Sequence, residues 1–295
     1  MDFKKIELSD KDWVNELLKY SDFKGSEYCF ANNFNWRDVY NIEVARYKDF
    51  GILRNNGREK NFLFPFGKGD IKEVINELFK ICKQENIPFG MFGITKESKE
   101  LLEKEMPNVF DYEEQRDYED YIYSTEKLAT LSGKKLHSKR NHINFFLNEY
   151  KDWQYEPITN DNMQDAINMS INWCKLNDVA INLDKKEEIE SVKSAFKHFD
   201  ELGLIGGLIR LNGEVIAYSI GEPLSSDTFI VHIEKAYSHI RGAYPMINQQ
   251  FVLNNCKDFL YVNREEDTGD LGLRKAKLSY YPQILLTKYY ATVKK

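Results

Sequence analysis

Between Leu204 and Val262 the chain has few paths open to it. Two extended runs, Leu204 to Arg210 and Glu214 to Gly221, flank Asn212-Gly213, a dipeptide suited to the positive φ angles of a tight hairpin turn. A β-branched run follows, Phe229 to Ile233, ending at Glu234. Arg241-Gly242-Ala243-Tyr244 then leads into Pro245, which opens a helix where its missing N–H costs nothing. A short strand, Phe259 to Val262, ends in the charged segment Asn263-Arg264-Glu265-Glu266-Asp267, too charged to extend a buried strand. A helix N-terminus after a glycine turn is a candidate anion site, and a polar cluster at a strand's end is where α/β proteins place ligand contacts.

The rest of the chain supports a globular α/β reading. With 295 residues, 42% of them hydrophobic, two domains are expected and each has a core to build. Val44 to Leu53 and Asn61 to Phe66 read as extended. Asp70 caps a helix to Asn86 with Ile71, Val74, Ile75, Leu78 and Ile81 on one face. Pro88 to Ile94 reads as a strand, Lys96 to Glu105 as a helix, and Tyr112 to Tyr123 as an aromatic-rich strand region. In the helical stretch Leu128 to Tyr150, Leu136, Ile143, Leu147 and Tyr150 share one face, and Lys135, Lys139 and His142 lie on another. After a strand at Trp153 to Glu156, Thr159 or Asn160 caps a helix burying Met163, Ile167, Ile171 and Cys174; a second helix runs from about Lys185 to Leu202. A helix begins near Asp270 and stops at Pro282, and Gln283 to Val293 is extended.

No apolar run approaches the roughly 20 residues that span a bilayer, and the N-terminus lacks a signal-peptide core, so a cytoplasmic protein is expected. Cys29, Cys82, Cys174 and Cys256 form no metal-type pair and read as reduced, mostly buried thiols; no metal site is expected. The net charge of −6 argues against a general nucleic-acid binder. Its distribution is uneven, with 11 acids and 3 bases from Glu97 to Glu126 against 5 bases and one acid from Lys134 to Lys151. That basic stretch either favours a phosphate-rich ligand or is a solvated helix face.

The order of helices, antiparallel hairpin, strand, glycine turn, helix and strand resembles the GNAT acyltransferase fold. The strings LSGKKLHSKRNHINFF (Leu131 to Phe146), RGAYPMIN (Arg241 to Asn248) and NREEDTGDLGLRKAKLSYYP (Asn263 to Pro282) are similar to the bacterial family related to the C-terminal catalytic domain of phosphatidylglycerol lysyltransferases. That resemblance implies α+β or α/β architecture as two tandem GNAT-like (acyl-CoA N-acyltransferase) domains, mixed central sheets flanked by helices. The expected divisions are 1–127, a basic linker helix at 128–150, and 151–295 carrying the active site. It also implies transfer of an aminoacyl group from charged tRNA to an amine or hydroxyl of a small-molecule or lipid acceptor. The transmembrane part that lysyltransferases use to meet lipid is not in this sequence.

Such a transfer needs an anchor for the carrier, a proton acceptor and oxyanion donors. Arg241, Gly242, Ala243 and Tyr244 are the candidate pyrophosphate turn, although Tyr244 stands where GNAT enzymes carry a small residue; otherwise Arg241 is a surface arginine. Lys139, Arg140 and His142 are candidates for nucleic-acid phosphate. Glu234 and Asp267 are candidate base and amine-binding groups, with Asp267 preferred for the amine. Asn263, Arg264, Glu265, Arg274 and Lys277 line the substrate, unless the charges form a self-satisfied ion-pair network. Tyr280 or Tyr281 is the donor to the leaving group, Arg274, Lys277 and Tyr281 sharing a helix side, and His232 reads as packing. Coenzyme A is the alternative donor, with no tightly bound cofactor expected. An acyl-CoA N-acyltransferase and a non-catalytic binding module on the same fold are the rival readings.

Overall fold

The structure, a computed structural model, describes residues 1–57, 59–176 and 183–294. In chain order its elements begin β1 (Lys4–Lys5), α1 (Lys11–Ser21), α2 (Phe30–Asn35), β2 (Ile42–Tyr47), β3 (Phe50–Asn56), β4 (Lys60–Leu63), β5 (Phe66–Gly67), α3 (Ile71–Glu85), β6 (Gly90–Ile94), α4 (Lys96–Glu105) and β7 (Phe110–Glu114). They continue with β8 (Asp120–Ser124), α5 (Thr125–Thr130), α6 (His137–Glu149), β9 (Trp153–Pro157), α7 (Met163–Leu176), α8 (Leu183–Lys197), α9 (Phe199–Leu202), β10 (Ile205–Leu211), β11 (Glu214–Pro223) and β12 (Thr228–Ala236). The last are α10 (Ala243–Asn255), β13 (Tyr261–Asn263), α11 (Leu271–Leu278), β14 (Ile284–Leu286) and β15 (Tyr289–Val293).

Contacts divide the chain into two compact units, one of Met1–Asp120, Glu266–Gly269 and Leu285–Lys295, the other of Tyr121–Glu265 and Asp270–Ile284. Each has a mixed α+β sheet. The first runs β1-β2-β3-β4-β6-β15-β7 with β5 beside β3, the second β14-β8-β13-β12-β11-β10-β9. In each, an antiparallel meander is followed by a helix and one parallel strand: β4 to β6 through α3, and β12 to β13 through α10.

Local signals explain the helices. The Asp70 carboxylate accepts from Glu73 N at the start of α3, whose Ile71, Val74, Ile75, Leu78 and Ile81 are buried. Asp270 does the same for Leu273 N at α11. The expected hairpin is present, with Asn212 at φ 51° and Gly213 at 83° joining β10 to β11. Gly242 begins α10 at φ 92°, and a Cβ there would lie 2.5 Å from the His142 carbonyl oxygen and 2.9 Å from Phe146 Cβ. Only glycine tolerates both the angle and the approach of α10 to α6.

Several expectations change. Val44 to Leu53 is not one strand: it turns at Lys48, with φ 53°, between β2 and β3. The region 112–123 is two strands of different sheets, separated by a 3-10 turn at Arg116–Tyr118. Gln283 to Val293 also divides, and β15 pairs with β6 and β7 of the first sheet. Residues 128–150 lie within the second unit, where Leu128, Leu131, Leu136, Ile143 and Phe146 enter its core, while Leu147 is exposed. α7 buries Ala166, Met169 and Ser170 instead of the face through Ile171, which is 49% exposed. β12 extends to Ala236, leaving Glu234 two residues inside the strand. The four cysteines are free thiols, three of them buried.

Candidate active site in the second unit

β12 and β13 pair in parallel only at Thr228↔Tyr261, Phe229↔Val262 and Ile230↔Asn263. β13 then ends, whereas β12 continues to Ala236 against β11. The strands therefore part, and His232 and Glu234 project from one face of β12 beside the opening, because alternate strand residues share a face.

Glu234 is the hub. Its Oε1 accepts from Arg264 Nη2 at 2.7 Å and its Oε2 from Asn248 Nδ2 of α10 at 2.9 Å. A carboxylate only accepts, so the amide of Asn248 must face it with nitrogen, leaving Oδ1 outward. Both side chains of the Glu234–Arg264 pair are 12% exposed. Desolvation at that depth opposes the charge on Arg264, and the Glu234 carboxylate more than restores it, raising its pKa. The Arg264 guanidinium lies 4.9 Å from the centre of the Tyr280 ring and 5.6 Å from that of Tyr123. Burial pushes both phenols above their usual range, so both stay protonated. Below Arg264, Lys277 donates to its carbonyl at 2.6 Å, and Tyr123 hydroxyl donates to the Lys277 carbonyl at 2.8 Å.

Lys139, in the first turn of α6, places its ammonium 3.9 Å from the Tyr280 ring centre. Burial, and then the positive charge of Arg264, lower its pKa to about 8, against an opposing pull from Glu234. Three buried polar atoms around Glu234 have no hydrogen-bond partner among the described residues: Arg264 Nη1, Asn248 Oδ1 and the Oγ of Ser219, the residue of β11 directly opposite Glu234. Such atoms cost free energy unless a ligand or water meets them.

The structure thus brings together Glu234, Arg264, Tyr280 and Lys139, with Lys277 as a support. Other candidates are differently occupied. Arg140 donates to the carbonyls of Leu131 and Gly133, closing the loop ahead of α6. The Arg241 guanidinium stacks on Phe145 at 4.2 Å, Ala243 N donates to Ile240 O, and the Tyr244 hydroxyl accepts from Trp173. The His142 pKa is lowered by burial first, then by Lys139 and Arg241. Asn263 is fully buried and accepts from Glu265 N. Arg274 sits half-exposed on α11, and Tyr281, at φ 54° and 48% exposed, leaves the helix side it was expected to share with Lys277. Asp267 belongs to the first unit, where its carboxylate accepts from Gly269 N and pairs with Arg116 at 3.5 Å.

His232 is more than packing. Its Nδ1 lies 2.7 Å from Glu265 Oε1 and its Nε2 3.1 Å from Glu222 Oε1, which ties down the backbone at Glu265, itself at φ 57°. Glu222, Asn248, Ser219 and Tyr123 are site residues that no motif in the sequence marks. The available signal was polar His232 and Glu234 at i and i+2 within an otherwise apolar strand, a polar stripe facing inward.

A family model described as phosphatidylglycerol lysyltransferase, C-terminal, matches residues 18–292. The chain belongs to this family. Among solved structures, a conserved protein of unknown function from Bacteroides thetaiotaomicron is 39% identical, with all of each chain covered and a TM-score of 0.96. L-PGS from Bacillus licheniformis is 16% identical, covering 85% of this chain and 83% of that one at a TM-score of 0.61, a likeness of fold. An uncharacterized protein of Mycoplasmoides gallisepticum is 26% identical over 183 residues, 59% of this chain and 56% of that protein, so the match spans little more than half the relative's length. No helix among the described residues is long and apolar enough to cross a membrane.

Proposed function

We propose that the protein is an aminoacyltransferase that moves an aminoacyl group from charged tRNA to an amine or hydroxyl acceptor, with the opening between β12 and β13 holding the aminoacyl ester. The observation that carries this reading is the set of unpartnered atoms around Glu234. An aminoacyl ester offers what they lack: an ammonium for Asn248 Oδ1 and Ser219 Oγ beside the Glu234 carboxylate, and a carbonyl oxygen for Arg264 Nη1. In the transition state that oxygen becomes an oxyanion, which a fixed guanidinium stabilises more strongly than the starting carbonyl. In this reading Glu234 takes the amine-binding role first expected of Asp267. The protonated Tyr280 phenol is the proton donor to the leaving oxygen. Exposed Lys134, Lys135 and Arg241 supply charge for tRNA phosphates without reading sequence.

Coenzyme A fits these residues less well. The Glu234–Arg264 pair occupies the parting of the strands, and the Arg241 turn is committed to α6 and Phe145. The test is purified protein with radiolabelled lysyl-tRNA and phosphatidylglycerol vesicles, the lipid suggested by the family's description, in parallel with acetyl-coenzyme A and lysine. Transfer from tRNA that is lost in Glu234→Gln supports the reading; acetyl transfer with no turnover of charged tRNA contradicts it.

A further inference from the structure

Lys139 has an environment that disfavours its own charge. Among the described residues its ammonium has no hydrogen bond or ion pair. Its polar surroundings are the face of Tyr280 at 3.9 Å, the Arg264 guanidinium, which shares that ring, and the His142 imidazole one turn along α6, whose own pKa the Lys139 charge lowers. The nearby carboxylate, Glu234, has both oxygens engaged by Arg264 and Asn248. The position in the first turn of α6 adds the positive end of a helix dipole. Partial burial completes the set. Burial and the Arg264 charge outweigh the opposing pull of Glu234 and of the Tyr280 ring face, and a lysine pKa of about 8 leaves roughly a quarter of the side chain neutral at pH 7.5, against about 0.1% for an ordinary lysine.

We propose that Lys139 is the proton acceptor of the transfer reaction. The assignment rests on the aminoacyltransferase reading above. The neutral Nζ takes the proton from the acceptor's N–H or O–H while that atom's electron pair forms the bond to the ester carbonyl carbon. The resulting oxyanion faces Arg264 Nη1. On collapse the C–O bond to the ribose oxygen breaks, and that oxygen takes a proton from Tyr280; the Lys139 ammonium, which lies over the ring face and not at the hydroxyl, returns a proton to the phenolate through solvent. Ester and acceptor become aminoacylated acceptor and a free ribose hydroxyl, and Lys139 returns to the neutral amine. Glu234 is poorly suited to this role, since its carboxylate is the counter-charge of the buried Arg264 guanidinium.

Two measurements on the full chain test the proposal. The first needs no substrate: competitive amine labelling with trace acetic anhydride from pH 6 to 11, resolved by mass spectrometry, is expected to show Lys139 titrating near 8 while surface lysines titrate near 10.5. Titration of Lys139 with the surface lysines overturns the assignment. The second compares wild type with Lys139→Arg, which keeps a positive charge but cannot accept a proton. Transfer from lysyl-tRNA is expected to fall about 100-fold to 10,000-fold, with tRNA retention on filters unchanged. The wild-type rate is expected to rise about tenfold per pH unit below 8 and then level. Full activity in Lys139→Arg, or an aminoacyl group found in amide linkage on Lys139 itself, overturns the proton-acceptor role while leaving the aminoacyltransferase reading intact. Failure of the wild type to turn over any charged tRNA removes both.

Discussion

In the first unit, β4 and β6 run parallel and are paired at Phe62↔Met91 and Leu63↔Phe92; beyond that register Tyr28 fills the gap. Its hydroxyl lies 3.0 Å from the Gly93 carbonyl oxygen and 3.3 Å from that of Phe64, and Phe23 packs on its ring at 4.5 Å. In the second unit, β12 and β13 part in the same way, but the gap takes Glu234, Arg264 and Asn248, with buried atoms left unpartnered. One strand–helix–strand arrangement is therefore closed by an aromatic plug whose polar atom is satisfied, and elsewhere kept polar and unsatisfied. The first content favours stability. The second holds in reserve hydrogen-bonding capacity that a ligand can use, as expected where a fold carries chemistry.

Substitutions test this contrast. The largest effect is expected from Arg264→Met, which leaves the Glu234 carboxylate buried without its cation: a loss of about 3–5 kcal/mol in urea unfolding, and loss of transfer. Gly242→Ala should follow at about 2–3 kcal/mol, since it combines a φ of 92° with a Cβ 2.5 Å from the His142 carbonyl oxygen; the same assay reads it. Tyr28→Phe removes only the hydroxyl of the plug and is expected to cost about 1 kcal/mol with transfer unchanged. A transfer defect there would make the first unit's gap part of the site. The smallest effect concerns pH. The folded pKa of Lys139, about 8, lies below the ordinary lysine value of 10.5, so between those limits the unfolded chain holds a proton that the folded protein has released, and stability rises with pH. Lys139→Met should thus melt above wild type at pH 7, by about 1 kcal/mol or less after solvent screening, and the difference should close between pH 8 and 10.5.

What the sequence made legible is local. Asp70 and Asp270 as caps, Asn212-Gly213 as a hairpin and Gly242 before a helix are decided within a few residues, by hydrogen bonds or φ angles that the residue type dictates. Pairing across long separations was not. β8 follows the first unit's β7 in the chain but completes the second sheet, and β15 completes the first; period-2 alternation cannot say which sheet receives a strand. The same limit applies to charge. Arg264 and Lys139 were readable as candidates, and their partners were not, because Glu234 and Tyr280 lie 30 and 141 positions away, respectively. Lys288 is the plainest case: it lies in the run expected to be extended, with nothing local to mark it, yet it is 2% exposed in the first unit, held by Glu27 at 2.7 Å and Asp120 at 2.9 Å.

The claim that the polar gap of the second unit receives the aminoacyl group is tested most directly by crystallography with a non-hydrolysable aminoacyl-adenosine amide. Density is expected between β12 and β13, with the carbonyl oxygen in hydrogen-bond reach of Arg264 Nη1 and the ammonium at Asn248 Oδ1 and Glu234. Density seated elsewhere, with Arg264 Nη1 and Asn248 Oδ1 still unpartnered, would contradict it.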